Sequence, residues 1–309
     1  MELHRASGRS GLGFALAATT MALWGVLPLV LEAVLRSVDA LTLIWFRFVV
    51  AALLLGAWLA ARGELPRLGA LDAGGRWLLA LATAGLAGNY VGFLLGLAHT
   101  TPANAQVLIQ AGPLLLALGG VAVFGERFTR LQGLGLAAIV AGLAGFFASQ
   151  LASLGRELGR YLSGVAWIAV AAVTWAGYGL AQKQLLRALS SQGVMLCIYA
   201  GCALLFWPWA KPAVLLGVSA AGAALLAFCA LNTLVAYGAF AAALQHWEAS
   251  RVSAVLALTP LATLACSALA AHWLPGRAVP ESLSPASWAG AAAVVAGSLL
   301  ISLGGRRLR

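Results

Sequence analysis

Charge is what this 309-residue chain has least of: Asp, Glu, Lys and Arg together make up 9% of it, and only nine positions are acidic. With 62% hydrophobic residues and a mean hydropathy of +0.94, that scarcity excludes an ordinary water-soluble globule. Acidic residues are missing as pairs from every long apolar stretch, which weighs against a carboxylate-based proton relay through a membrane. No glycine-rich phosphate loop of the Walker type is present, nor any Ser/His/Asp arrangement, which weighs against an ATP-driven pump and an intramembrane hydrolase. The four cysteines (Cys197, Cys202, Cys229, Cys266) all fall inside apolar stretches, without disulfide-framework or metal spacing, and read as small packing residues. His99, His246 and His272 lie at the ends of stretches and His4 in the polar leader, again without metal spacing. The sequence therefore calls for no cofactor and no metal. Long polar segments are confined to 62–76 and 274–287, so no soluble domain is expected.

What is present is a series of ten apolar stretches near 12–32, 40–61, 77–98, 102–124, 131–150, 162–182, 192–210, 218–243, 252–273 and 286–304. Crossing a hydrocarbon core takes about 20 apolar residues as a helix. The stretches lack the alternation of barrel strands, so the expected class is an all-α polytopic membrane protein with ten transmembrane helices. A net charge of +10 would suggest nucleic acid in a soluble protein. Here the cations sit between spans, and the partners they imply are membrane lipids rather than nucleic acid. With the N-terminus inside, thirteen Lys and Arg fall in inner segments and five in outer loops, Arg47 alone lying within a span. That bias predicts a multi-pass protein with both termini in the cytoplasm. Arg5 and Arg9 precede an apolar run longer than the ~7–15 residues of a signal-peptide core, so an uncleaved first helix is expected.

The stretches fall into two similar halves, 1–150 and 151–309. A shift of 151 places Gly13 on Gly164, Trp24 on Trp175, Phe48 on Tyr199 and Trp58 on Trp209. A shift of 147 places Tyr90 on Tyr237, Phe93 on Phe240, Leu97 on Leu244 and Pro113 on Pro260. A shift of 155 places Glu126 on Glu281, Thr129 on Ser284, Gly135 on Gly290 and Gly142 on Gly297. Three registers in chain order argue duplication, and a duplicated block of five crossings must insert its second copy inverted. Small residues such as Gly112, Gly119, Gly120, Gly135, Ala138 and Gly142 read as surfaces where membrane helices pack closely.

One segment is more specific: Gly125-Glu126-Arg127-Phe128-Thr129-Arg130-Leu131-Gln132-Gly133-Leu134-Gly135. Thr129 with Gln132 is a capping box for the fifth helix, and Ser284-Pro285 supplies a cap and a first-turn proline for the second copy. With Ala22-Leu23-Trp24-Gly25 in the first span, Arg47-Phe48 in the second and Pro113 in the fourth, this segment resembles the joint of the EamA-type, ten-helix family of the drug/metabolite transporter superfamily. The second copy departs from the pattern, with about eight extra residues before Glu281 and Ser287 in the place of Gln132. Glu126 reads as part of an architectural joint, not as a catalytic acid. The resemblance implies a central cavity lined by helices one, three, four, six, eight and nine, and a small-metabolite transporter, with amino acids or related solutes and export as the expected case.

Polar and aromatic side chains near mid-span are the candidates for such a cavity, because lipid offers them no partners. They are Trp24, Asn89, Tyr90, Gln106, Gln110, Trp175, Tyr178, Asn232 and Tyr237. Gln106 and Gln110, four apart, share one helix face. Arg47 sits about 10 Å from the start of its span, close enough to snorkel to the interface or to face the cavity and meet an anionic group. Pro113 and Pro260 are expected to kink helices four and nine and to act as hinges, or as static bends. A membrane-embedded enzyme acting on a lipid-type substrate, and a non-transporting scaffold or sensor, stand as alternatives; the first would need a His, Asp, Glu or Cys cluster near an interface.

Overall fold

The computed structural model describes residues 7–125, 129–153, 158–273 and 284–304, and among these the regular elements are all helical. In chain order they are α1 (Ser10–Val34), α2 (Ala40–Ala61), α3 (Ala73–His99), α4 (Pro102–Leu108), α5 (Ala111–Phe124), α6 (Arg130–Ser153), α7 (Leu158–Leu185), α8 (Ser191–Phe206), α9 (Ala220–His246), α10 (Ala249–Leu256), α11 (Thr259–Trp273) and α12 (Pro285–Gly304). Among the described residues nine segments are long and apolar enough to cross a membrane, α4 with α5 and α10 with α11 each counting as one. The described apolar part of α12, Pro285–Ile301, is shorter. Glu126, the Arg277 and Glu281 loop, and the terminal arginines Arg5, Arg306, Arg307 and Arg309 lie outside the described residues.

Helix starts follow from local chemistry. Asp39 accepts the amide of Thr42 at 3.0 Å, Asp72 that of Gly75 at 2.7 Å, and Ser190 that of Gly193 at 3.1 Å, each satisfying a free first-turn donor. The capping box forms as its sequence requires: the Thr129 amide donates to Gln132 Oε1 at 2.9 Å, and the Gln132 amide to Thr129 Oγ1 at 3.3 Å. In the second copy the Ser287 amide donates to Ser284 Oγ at 3.1 Å, and the two hydroxyls pair at 3.0 Å.

The fourth and ninth spans, α4–α5 and α10–α11, are interrupted rather than bent. Pro113 has no amide for the carbonyl of Ile109, which instead accepts from Gly112 at 2.8 Å. The Gln110 amide shortens to Val107 at 3.1 Å, and the freed carbonyl of Gln106 accepts from Gln110 Nε2 at 3.2 Å. In the second copy Pro260 frees the carbonyl of Leu256, which accepts from Thr259 Oγ1, and the Leu258 amide shortens to Val255 at 3.1 Å. Each break is thus closed by a side chain from the break itself. Pro28, by contrast, lies inside a continuous α1.

Small residues set the main crossings. A Cβ on Gly85 or Gly92 of α3 would stand 2.8 Å from the carbonyl of Thr174 or Trp167 of α7, and one on Gly142 of α6 would stand 2.6 Å from the carbonyl of Gly290 of α12. Gly135 meets Gly297 in the same way. Rising numbers on one helix meet falling numbers on the other, so both pairs are antiparallel. The contacts also repeat in register. Asn89 Nδ2 donates to the carbonyl of Ala171 at 3.1 Å; shifts of 147 and 151 carry this pair onto Ala236 and Thr20, where Thr20 Oγ1 donates to the Ala236 carbonyl at 3.1 Å. Likewise the approach of Gly85 to Thr174 maps onto Asn232 and Leu23, joined at 2.8 Å.

Candidate functional site

Where these crossings leave the axis unfilled, a small cavity of about 80 Å³ remains. Its lining comes from α1 (Trp24, Leu27, Leu31), α2 (Arg47), α3 (Asn89, Tyr90, Phe93, Leu94), the α4–α5 break (Gln106, Ile109, Gln110, Pro113), α7 (Trp175), α9 (Tyr237) and the α10–α11 break (Leu256, Thr259). Leu31 and Leu94 lie near the C-terminal ends of α1 and α3, Gln106 about one turn into the combined α4–α5 span, and Arg47 two turns into α2. The cavity therefore runs from mid-bundle toward that one end.

Aromatic rings make its floor. Trp24 meets Trp175 at 5.8 Å and Tyr237 at 4.9 Å between ring centroids, and Tyr90 meets Tyr237 at 5.5 Å. Tyr237 donates through its hydroxyl to Asn89 Oδ1 at 3.2 Å, so the Asn89 amide ties α3, α7 and α9 together at the wall.

Arg47 supplies the charge. It is 2% exposed, and its Nε donates to Thr233 Oγ1 at 2.8 Å and to the carbonyl of Cys229 at 3.2 Å. Nη2 donates to the Tyr90 hydroxyl at 3.4 Å, and the guanidinium carbon stands 4.5 Å above the centre of the Tyr90 ring. Tyr90 in turn donates to Thr233 Oγ1 at 3.2 Å, and Thr233 to the Cys229 carbonyl at 3.0 Å. Every one of these partners is neutral. Among the described residues no carboxylate meets the guanidinium, and Nη1 makes no hydrogen bond. Burying a cation is costly unless polar groups meet it, and here a carbonyl, two hydroxyls and an aromatic face do so. Two further polar atoms facing this region lack partners among the described residues: Gln110 Oε1, an acceptor, and Trp24 Nε1, a donor.

Of the residues singled out from sequence, Trp24, Arg47, Asn89, Tyr90, Gln106, Gln110, Trp175 and Tyr237 come together at the cavity, and so does Pro113. Tyr178 and Asn232 do not line it. Tyr178 is fully buried one layer away, donating to Met195 Sδ at 3.4 Å with its ring against Phe240. Asn232 is spent on the carbonyl of Leu23. Pro260 lies next to the lining residue Thr259 without reaching the cavity. Sequence reasoning passed over Thr233, although its spacing, one turn from both Cys229 and Tyr237, placed it on the same face. It also passed over the apolar wall of Leu27, Leu31, Phe93, Leu94, Ile109 and Leu256, where nothing distinguishes a lining leucine from a lipid-facing one.

A broken-helix bundle around a mainly apolar axial cavity is an architecture suited to a membrane transporter, and the comparisons agree. A model of the EamA-like transporter family matches the chain twice, over residues 11–148 and 162–303. The chain is 38% identical over 300 residues to a protein of Escherichia coli (strain K12) described as "Uncharacterized inner membrane transporter YhbE", covering 96% of this chain and 93% of that one. It is 34% identical over 297 residues to an "Uncharacterized transporter" of Haemophilus influenzae, covering 96% of each. The chain belongs to the EamA-like transporter family. A solved crystal structure matches its fold with a TM-score of 0.66 at 24% identity, over 96% of this chain and 98% of the other.

Proposed function

We propose that the chain is a secondary transporter of the bacterial inner membrane that moves a small organic solute by exposing the axial cavity alternately to the two faces. Residues 1–150 and 151–309 form the two five-helix units, inverted relative to each other, with both termini in the cytoplasm. The antiparallel packing of α6 on α12 and of α3 on α7, and the recurrence of contacts under the sequence registers, support that reading. On this topology the cavity faces outward. The solute sits among Trp24, Arg47, Asn89, Tyr90, Gln106, Gln110, Trp175 and Tyr237, and Pro113 and Pro260 mark the hinges.

The observation that carries the assignment is Arg47: a buried cation, held by neutral groups among the described residues, at the wall of a mainly apolar cavity. It suits a carboxylate on the solute, the indole and phenol rings take an apolar portion, and the spare Gln110 carbonyl takes an N–H. Amino acids and related metabolites have this make-up, and export is the proposed direction. No chemistry on the solute is assigned. The test compares extracellular metabolites of overexpressing and deletion cells and then measures counterflow of the hits in proteoliposomes. Accumulation of a carboxylate solute outside the overexpressing cells, with counterflow, supports the proposal; a chemically altered product without counterflow would replace it with an enzyme.

A further inference from the structure

The cavity obeys the internal duplication only at its floor. Trp24 and Trp175 both line it, as do Tyr90 and Tyr237, and Ile109 and Leu256. Apart from Thr259, its walls come from the first unit. Leu27, Leu31 and Gln106 line it, but the residues that the registers place opposite them, Tyr178, Gln182 and Ser253, do not. Those counterparts are packed away in the other half of the bundle, 0% exposed for Tyr178 and Gln182 and 3% for Ser253.

The packed half is tight but poorly satisfied. α10 rests broadly on α5 and α1, whereas its register mate α4 touches α11 and α7 only sparsely, so the two halves differ in closure rather than in kind. Within the closed half, Gln182 Nε2 and the Tyr178 hydroxyl both donate to the single thioether of Met195, at 3.3 and 3.4 Å, and a thioether is a weak acceptor. Gln182 Oε1 and Ser253 Oγ have no partner among the described residues. Buried polar atoms are nearly always bonded, and buried polar atoms with no hydrogen-bond partner fit a surface that is wet in another conformation.

We infer that Tyr178, Gln182 and Ser253 form a second solute-binding half-site, closed here, that opens on the opposite face of the membrane when the first half closes. It takes neutral hydrogen-bonding groups of the solute: an amide oxygen, a hydroxyl and a phenol line it. No guanidinium is repeated there, because Ile198 stands where the register would place the counterpart of Arg47. Of the cations in that half, Lys183 stands 4.5 Å over the ring of Phe124, and Arg251 is paired with Glu248 at 3.0 Å. The solute's anionic end is therefore gripped through one half only. This rests on the alternating-cavity reading above and adds which residues supply its other half.

The test is thiol labelling with a membrane-impermeant maleimide, in right-side-out and inside-out vesicles, of the full chain carrying Ser253→Cys or Gln106→Cys. The four native cysteines give the background, and Glu64→Cys gives an exposed control. Ser253→Cys differs little in size, and Gln182→Cys repeats the measurement at a second position. A minor conformer populated at roughly 0.1–10% predicts labelling about 10- to 1,000-fold slower than Glu64→Cys, from the same face as Glu64→Cys, with Gln106→Cys reacting from the other face. If Gln106→Cys labels from its own face while Ser253→Cys and Gln182→Cys stay at background, or label from that same face, the inferred half-site is wrong and the cavity reading stands. If none of the three labels, both are wrong.

Discussion

Replacing Arg47 by Met separates recognition from architecture. The substitution removes three hydrogen bonds, to Cys229, Thr233 and Tyr90. Side-chain hydrogen bonds between membrane helices are worth about 0.6 kcal/mol each, which gives about 2 kcal/mol lost. It also removes a buried cation with no carboxylate partner, and exchanging buried charge for packed hydrophobe is often neutral or stabilising. The two effects oppose each other, so Tm in detergent moves by roughly a few degrees at most.

Transport responds differently. A charge-assisted hydrogen bond from the guanidinium to a solute carboxylate is worth about 1.5–3 kcal/mol, or roughly 10- to 150-fold in affinity. Counterflow KM for a carboxylate solute therefore rises by that factor in Arg47→Met, while KM for its amide hardly changes. Arg47→Lys keeps the charge but not the planar fork that reaches Thr233, Cys229 and Tyr90 together, and it recovers only part of the affinity. Equal KM increases for acid and amide would refute the reasoning, as would an unchanged KM with a collapsed Tm.

Other outcomes follow from the same geometry. Asn89→Leu removes the bridge to Ala171 and Tyr237, and Gln106→Leu alters the cavity wall; both lower counterflow while membrane insertion, read by fluorescence of a C-terminal fusion, stays intact. Gly135→Leu drives a side chain into the carbonyl of Gly297 and destabilises the α6–α12 crossing by at least about 1–3 kcal/mol, seen as a lowered Tm, whereas Gly133→Leu, with open space around its Cβ, leaves Tm near wild type. Pro113→Ala and Pro260→Ala restore an amide to each broken helix and slow counterflow without raising KM, if the breaks are hinges. Because no carboxylate lines the cavity among the described residues, a pH jump alone is expected to drive no accumulation of solute into proteoliposomes.

Much of the site was legible because polar groups in an apolar helix stand out: Trp24 with Trp175 and Tyr90 with Tyr237 were marked by mid-span position and by register, and Gln106 with Gln110 by four-residue spacing. Rotation about the helix axis was not legible. α9 is apolar all round, so composition alone did not distinguish Asn232, turned onto Leu23, from Tyr237, turned inward. Tyr178 failed for a related reason: its register mate Leu27 lines the cavity, yet only one half of the bundle is hollow. The prolines announced an irregularity, but whether it was a bend or a break depended on which donors the freed carbonyls of Ile109 and Leu256 found, and those donors, Gly112 and Thr259, became visible only in three dimensions.

The inversion of the two units is tested most directly at Arg9, just before α1, and Arg160, in the first turn of α7, register mates 151 residues apart that are both exposed. With impermeant maleimide, Arg9→Cys should label in inside-out vesicles and Arg160→Cys in right-side-out vesicles. Labelling of both from one face would contradict the account.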